Sequence, residues 1–342
     1  MHCVSCIASH VLRLMHFVSC ISSLQLKCCV MNKSCIFPAF LQKKDKVAIV
    51  SPSGSVDPEL IDGACSTLIS WGLVPVVGAY AKGKHHRFAG TDEQRIFDMQ
   101  QALDDPSISA ILCGRGGYGM SRIVDKLDFK LFKQRPKWII GFSDITALHA
   151  RIEKEGYASV HGVMAKALAH AENNQLAVES LRRMLMPENS PVYHIESHKE
   201  NRKGEALGRL VGGNLSLLYA LQGTPYAIQP EGKILFIEDL SERMYHIDRM
   251  IQTLRLAGVF KKISGLIVGQ FTDIDPDDSF GSVENIVLNA LEGRKIPVAF
   301  NFPVGHVTDN FALLHGADVR LLVNKEGADL QFVSPLTFGK KG

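Results

Sequence analysis

The sequence contains no long apolar run and, after residue 44, almost no cysteine. No stretch of about 18 consecutive apolar residues occurs in the 342-residue chain, so a membrane-spanning helix is not predicted. Only Cys65 and Cys113 follow residue 44, which argues against a disulfide framework there and favours a reducing compartment such as the cytoplasm. Hydrophobic residues make up 46% and charged residues 21%, a balance that argues against a disordered or fibrous chain.

Acidic residues are absent from residues 1–44, where five basic residues stand. Subtracting these from 38 basic residues leaves 33 against 35 acidic ones, a net charge of −2 for the rest, although the whole chain carries +3. The rest therefore lacks the basic excess that nucleic-acid binding requires. We predict neither a nucleic acid nor a membrane as a partner.

Residues 1–44 also hold six of the eight cysteines and an internal repeat, in which Met1–Ser9 returns as Met15–Ser23. The pair Cys3 and Cys6 with nearby histidines permits a zinc site, but a second Cys-x-x-Cys pair is missing. A targeting peptide is another interpretation. We expect instead an extension outside the folded enzyme, such as an over-long start of translation.

The remainder alternates between short apolar runs and helical patterns. Strands are predicted at residues 46–50, 73–77, 108–112 and 138–141, each followed by a loop and a helix. Such a repeat predicts a parallel sheet with helices on both faces, whose ligands sit beyond the carboxyl ends of the strands. A polar stretch with one short helix follows, and a second unit of mixed strands and helices ends in a hairpin near residues 319–333.

Three residues carry the chemical argument because each stands where a buried strand ends. Ser143 follows a strand and precedes a helix, as in a nucleophile elbow, although Ile145 replaces the last glycine of the Gly-x-Ser-x-Gly pattern. A serine nucleophile needs a base and the base needs an orienting acid, and His306 and Glu238 supply these types in an allowed chain order. The alternatives are a helix cap at Ser143 or Asp144, a structural histidine and a surface acid.

The loop Gly114–Gly119 matches the Gly-x-Gly-x-x-Gly dinucleotide pattern, which leaves a nucleotide-binding dehydrogenase as an alternative. The loop follows the third strand, and no acid ends the next strand at the expected offset. We favour a loop whose backbone N–H groups face a reacting carbonyl. A non-catalytic binding protein with the same fold is the other alternative.

Six short motifs follow one another along the chain: Ser51-Pro-Ser-Gly54, Gly114-Arg-Gly-Gly-Tyr-Gly119, Gly141-Phe-Ser-Asp-Ile-Thr146, Gly212-Gly-Asn214, Ile237-Glu-Asp239 and Gly305-His306. In this order they resemble the LD-carboxypeptidases of murein recycling, a family that includes microcin-immunity peptidases. The resemblance covers residues 44–333.

The resemblance implies an α/β fold: an N-terminal parallel-sheet, flavodoxin-like domain at residues 45–168 and a C-terminal mixed, swivelling-barrel-like domain at residues 207–342. Residues 169–206 are predicted as the linker, and residues 1–44 are predicted to lie outside the fold.

The family's serine, glutamate and histidine triad falls on Ser143, Glu238 and His306, with Glu242 a possible misassignment of the acid. The resemblance also implies an oxyanion hole from the backbone N–H groups of Gly117 and Asp144. It implies no metal or organic cofactor.

The implied substrate is murein tetrapeptide, cleaved at the L,D bond before its terminal D-alanine. A terminal carboxylate needs a cationic or N–H-rich partner, and Arg115 in the glycine-rich loop is the candidate. A microcin-type peptide amidase is the alternative within the family. We also expect a cytoplasmic homodimer.

Overall fold

The computed structural model describes residues 35–187, 191–277 and 279–333, which contain two β-sheets with helices packed around them. The cysteine-rich repeat and the zinc and targeting interpretations fall on residues 1–34 and lie outside this range. Among the described residues, none of the helices has both the length and the apolar character needed to cross a bilayer.

The first sheet has six strands, five of them from the N-terminal half of the chain. These five are β1 (Lys46–Val50), β2 (Val74–Val77), β3 (Ile108–Cys113), β4 (Trp138–Gly141) and β5 (Ser159–His161). They pair in parallel and follow the flavodoxin-like order 2-1-3-4-5, as predicted. Nearly every residue of the central strands is buried, because helices cover both faces.

Helices follow the strands where the sequence predicts them, with one exception. A proline opens the first helix, and Thr91 and Gln94 form a capping box at the start of the second. The helices of this half are α1 (Pro58–Ser70), α2 (Asp92–Asp104), α3 (Lys130–Gln134), α4 (Thr146–Lys154), α5 (Ala165–Ala169) and α6 (Gln175–Leu185).

The exception is the helix predicted from Met120. The structure instead has two short 3-10 turns, Met120–Arg122 and Val124–Lys126. Gly119 has a φ of +141°, and its carbonyl accepts a hydrogen bond from the buried Arg95 guanidinium. These contacts hold the chain in a loop and remove the strand–loop–helix context that a dinucleotide site requires.

The second sheet is mixed and has seven strands. They are β6 (Val192–Glu196), β7 (Gly204–Asn214), β8 (Ile234–Leu240), β9 (Gly265–Thr272), β10 (Val298–Ala299), β12 (Asp318–Val323) and β13 (Gly327–Phe332). Their order is β10-β9-β8-β7-β12-β13-β6; the first four pair in parallel, whereas β7, β12, β13 and β6 pair antiparallel. Arg202, before β7, forms an antiparallel bridge with Val298 of β10, so the sheet curls toward the barrel-like form predicted.

Four helices cover this sheet, and three of them bury one apolar face. Asn214 and Ser282 cap the first and the last of the four through their side chains. The helices are α7 (Leu215–Ala220), α8 (Met244–Leu256), α9 (Val259–Lys262) and α10 (Val283–Ala290).

Two predicted boundaries need correction. The segment 169–206, predicted as a linker, contains α6, whose apolar face is buried, and β6, which pairs with β13. Residues 35–44, predicted to lie outside the fold, pack against it: Leu41 is buried and the Phe40 ring stacks on Trp138 at 6.1 Å. The first segment is rich in mixed polar residues, and the second directly follows the cysteine-rich repeat, so neither was predicted to belong to the fold.

The C-terminal half also contributes the sixth strand of the first sheet. Strand β11 (Leu313–His315) pairs antiparallel with β5 at the edge of that sheet. One cluster of buried side chains includes Ile49 and Ile140 from the first sheet and Leu210 and Leu321 from the second. The two halves therefore share a core.

Candidate active site

Ser143 lies in a sharp turn between the buried strand β4 and helix α4. Its φ is +62°, a left-handed conformation that residues with a side chain rarely adopt. A single 3-10 turn, Ser143–Ile145, leads directly into α4, and Phe142 and Ile145 occupy the two N-cap positions. Ser143 is thus not a helix cap, and its hydroxyl stands at the start of a helix whose dipole favours negative charge.

The glycine-rich loop Gly114–Gly119 packs on this turn. A Cβ added at Gly116 would lie only 3.2 Å from the Oγ of Ser143, so no side chain fits between the loop backbone and the hydroxyl. Gly117, with a φ of +95°, lines the same cavity as Ser143. The backbone of this loop therefore lies close to the hydroxyl.

The Asp144 side chain has a structural contact of its own. It is buried, and its Oδ2 accepts a hydrogen bond of 2.8 Å from the backbone N–H of Met120. Burial raises the pKa of this carboxyl above its usual value. The side chain thus ties the end of the glycine-rich loop to the serine turn, while the backbone N–H of Asp144 belongs to the turn itself.

Glu238 and His306 form a hydrogen-bonded pair between His306 Nδ1 and Glu238 Oε2 at 2.8 Å. The carboxylate is fully buried, and the imidazole is partly exposed. Glu238 lies inside β8 rather than at its end, where the register with β9 shifts between Ile237 and Asp239. Such irregularities re-aim side chains beside functional sites, and here the shift accompanies an acid that faces the histidine.

The turn before His306 is held in place by contacts of Gly305. The Gly305 N–H donates to the side-chain oxygen of the buried Asn310 at 2.9 Å. Gly305 has a φ of +123°, and a Cβ there would lie 2.9 Å from Glu238 Oε2. The Gly305-His306 motif contained the glycine, but the roles of Gly305 and Asn310 emerge only from these contacts.

The other two acids near Glu238 face different partners. Glu242 Oε2 is 3.0 Å from the Nδ1 of His246, away from His306. Asp239 accepts hydrogen bonds from the backbone N–H and the hydroxyl of Ser216, and burial raises its pKa to about 6. Glu238 is therefore the acid that contacts His306.

The two halves meet where the serine helix touches the Gly212-Gly213-Asn214 motif. The backbone N–H of Asn214 donates to the hydroxyl of Thr146 at 3.1 Å. A Cβ at Gly213 would lie 2.5 Å from that hydroxyl, so only glycine permits the approach. In β7, Asn214 is also the register partner of Glu238 in β8. This contact sets the position of the serine turn relative to the acid strand.

Ser143, His306, Gly117 and Arg115 line one cavity of about 760 Å³. The rings of Phe142 and His306 are 4.9 Å apart across it. The described residues contain no hydrogen bond from the Ser143 hydroxyl to His306, and such bonds are often long in ligand-free sites. The cavity brings together residues from both halves of the chain.

Three buried histidines behind this site, His149, His161 and His315, form what we call the histidine cluster. The His149 ring bridges the Gly141 carbonyl and the Ser159 hydroxyl, at 2.8 Å each, and stacks on His315 at 5.8 Å. Burial lowers the pKa of His149 to about 4 and holds the pKa of the other two well below the usual range. Sequence analysis did not single these residues out; their only signal was a histidine ending each of two apolar strands.

Known proteins share this architecture. Two family models match the chain, the LD-carboxypeptidase N-terminal domain over residues 47–162 and the LD-carboxypeptidase C-terminal domain over residues 207–321. A Bacillus subtilis (strain 168) protein named "Probable murein peptide carboxypeptidase" is 33% identical over 285 residues, 82% of this chain and 89% of its own.

Solved structures agree. The crystal structure of muramoyltetrapeptide carboxypeptidase from Oxalobacter formigenes is 29% identical, with a TM-score of 0.76, and covers 84% of this chain and 99% of its own. The microcin C7 self-immunity protein MccF shares the fold at 22% identity and a TM-score of 0.79, over 87% of this chain and 98% of its own.

The fold and the matched domains define a peptidase, a hydrolase that acts on peptide bonds. The chain belongs to the LD-carboxypeptidase family.

Proposed function

We propose that the protein is a serine carboxypeptidase that hydrolyses the L,D bond before the terminal D-alanine of murein tetrapeptide, in peptidoglycan recycling. The observation that carries this proposal is the buried Glu238 bonded to His306, which shares a cavity with the strained Ser143 turn. Relatives named as murein peptide and muramoyltetrapeptide carboxypeptidases support the substrate.

In the proposed mechanism, Glu238 accepts the Nδ1–H of His306 and leaves Nε2 to act as the base. His306 takes the proton of Ser143 as Oγ attacks the scissile carbonyl carbon. The oxyanion that forms is held by the backbone N–H groups of Gly117 and Asp144. His306 then protonates the leaving amine, the C–N bond breaks, and D-alanine departs.

Water completes the cycle. His306 removes a proton from a water molecule that attacks the acyl-enzyme, and then returns the proton to Ser143 Oγ as the ester bond breaks. Glu238 keeps its hydrogen bond to Nδ1 and stabilises the imidazolium at each step. No further co-reactant is consumed.

Product analysis tests the proposal. The purified protein should release D-alanine and tripeptide from murein tetrapeptide, measured by chromatography and mass spectrometry. Ser143→Ala should lower kcat by at least about a thousandfold because no other hydroxyl occupies the turn. A folded Ser143→Ala variant that retains more than a few per cent of the rate would exclude Ser143 as the nucleophile.

A further inference from the structure

A second, smaller pocket of about 270 Å³ opens beside the active-site cavity. We call it the basic pocket, because its described lining includes the cations Lys84, Arg87 and Arg115 and no acidic side chain. Arg115 and Gly117 line both this pocket and the active-site cavity, so the two are contiguous. Because the chain after residue 44 has a net charge of −2, this concentration of cations is not a general property of the surface.

Neighbouring basic side chains have acidic partners, and those of the basic pocket do not. Lys82 pairs with Asp62 at 2.5 Å, and Arg122 pairs with Asp92 at 2.8 Å. Within the part of the chain that the structure describes, the three cations of the basic pocket form no ion pair within 4.0 Å. Their charge is therefore uncompensated, and an anion entering the pocket meets no competing carboxylate.

The basic pocket is also held in shape. Arg115 Nη1 donates to the carbonyl oxygen of Ser55 at 2.8 Å, and the guanidinium of Arg87 lies 5.7 Å from the centre of the Tyr118 ring. The segment that carries Lys84 and Arg87 is closed by a pair of backbone hydrogen bonds between His85 and Phe88. The backbone and the Arg115 side chain are therefore ordered before a ligand binds, which lowers the entropic cost of binding.

We propose that the basic pocket binds the free C-terminal carboxylate of the residue that the enzyme releases. The inference rests on the proposed function. In an exopeptidase the terminal carboxylate is only three bonds from the scissile carbonyl, so the cation that receives it must border the nucleophile. Arg115 meets this requirement because it lines the same cavity as Ser143.

Lys84 and Arg87 extend the same positive field beyond Arg115. Guanidinium and ammonium groups form charge-assisted hydrogen bonds with a carboxylate, and a neutral terminus gains no such bonds. The pocket thus selects a chain end over an internal peptide bond, which makes the active site exo-acting.

The experiment compares murein tetrapeptide with its C-terminal amide. For the wild type we expect kcat/KM to be at least a hundredfold higher for the acid. The double variant Lys84→Gln/Arg87→Gln should reduce this ratio at least tenfold, mainly through a higher KM for the acid. When Arg87→Lys replaces Arg87→Gln in the double variant, the charge at position 87 is kept, and the acid-to-amide ratio of kcat/KM should recover in part. Lys82→Gln, two residues away and paired with Asp62, is the matched control and should keep the wild-type ratio.

Calorimetry on Ser143→Ala separates this proposal from the proposed function. Tight binding of the tetrapeptide acid and weak binding of the amide support carboxylate binding by the basic pocket. Adding Lys84→Gln/Arg87→Gln to Ser143→Ala should then weaken binding of the acid and leave binding of the amide unchanged. Equal binding of acid and amide overturns the pocket's role but leaves the peptidase proposal standing. If neither peptide binds and the wild type cleaves neither, the murein substrate itself is wrong. A Lys84→Gln/Arg87→Gln variant that keeps the wild-type ratio of kcat/KM for acid and amide also overturns the proposed role of the basic pocket.

Discussion

Gly305 has no room for a side chain beside the candidate acid. Its φ of +123° belongs to glycine, and a Cβ would lie 2.9 Å from both the Cβ and the Oε2 of Glu238. A methyl group there must push against the carboxylate that orients His306. Displacement of a catalytic group by about 1 Å can cost about a hundredfold in rate.

We therefore predict that Gly305→Ala lowers kcat about a hundredfold. Gly223→Ala is the control, because Gly223 has a φ of +78° but a methyl group at its Cα would meet nothing within 4 Å. Gly223→Ala should lose about 1–2 kcal/mol of unfolding free energy from backbone strain, measured in urea, and Gly305→Ala should lose at least as much because the contact with Glu238 adds to the strain. Only Gly305→Ala should lose activity. An equal fall of kcat in both variants would contradict the proposed effect of the contact with Glu238.

Glu238 and Glu242 stand four residues apart and offer a second matched pair. Glu238→Gln keeps the shape of the acid but removes the charge that stabilises imidazolium, so kcat should fall by about a thousandfold or more. Glu242→Gln should change kcat less than about threefold, because Glu242 contacts His246. The reverse ranking in steady-state kinetics would place the acid at Glu242.

For single residues, the sequence was enough to predict which residue types form the site, but not the contacts that position them. Ser143 and His306 each carry a local signature in the sequence, a serine between strand and helix and a histidine after glycine. The placement of Glu238 in a strand irregularity, and the contact of Gly213 with Thr146, depend on pairings between distant segments. No local pattern encodes such pairings.

The histidine cluster lies where helix α4 and strands β5 and β11 meet. Its members have folded-state pKa values below the ordinary value of about 6.5, because burial disfavours the charged ring. Their contribution to stability is therefore complete above pH 6.5 and is lost as the pH falls from 6.5 toward 4. Asp239, with its pKa raised to about 6, acts in the opposite direction and offsets part of the loss.

We predict that the unfolding free energy falls between pH 6.5 and pH 4.5, and that His161→Leu makes the fall shallower. His161 is the member to change because neither ring nitrogen has a hydrogen-bond partner among the described residues. In this pH range the unfolded chain binds a proton at residue 161 that the folded chain does not, and the leucine removes this difference. The slope of unfolding free energy against pH should therefore fall by up to about 1.4 kcal/mol per pH unit. The measurement is urea unfolding at a series of pH values. The exposed His85→Gln is the control; an unchanged slope in His161→Leu would contradict the assignment.

Elements with a regular apolar period were predictable, and those held by tertiary contacts were not. The first four parallel strands and the closing hairpin of β12 and β13 appear close to their predicted bounds, whereas the three-residue parallel strand β5 was not predicted. Helix α6 and strand β6 were hidden in a polar stretch because each buries only part of its surface. Strand β11 has three residues, too few for a period of two to be read.

For the whole molecule, residues 35–44 decide where the fold begins. Leu41 is 3% exposed, and Phe37 and Phe40 contact Trp138 in the core. Deleting residues 1–44 should therefore lower the unfolding free energy by at least about 2 kcal/mol, the value of one buried leucine. Deleting residues 1–34 keeps these contacts, and from the resemblance, which begins at residue 44, we expect no loss. Thermal unfolding of the two truncated proteins is the check, and equal stability would mean that residues 35–44 contribute nothing.

Strand β11 completes the sheet that carries Ser143, yet it is made about 150 residues after its partner β5. At roughly 5–20 residues per second, a ribosome needs about 8–30 s to cover that interval. Throughout it, the nascent chain has the Ser143 turn but an unpaired β5 edge, which is a template for association with other chains. Synthesis order thus leaves the sheet that carries Ser143 incomplete until β11 has been made.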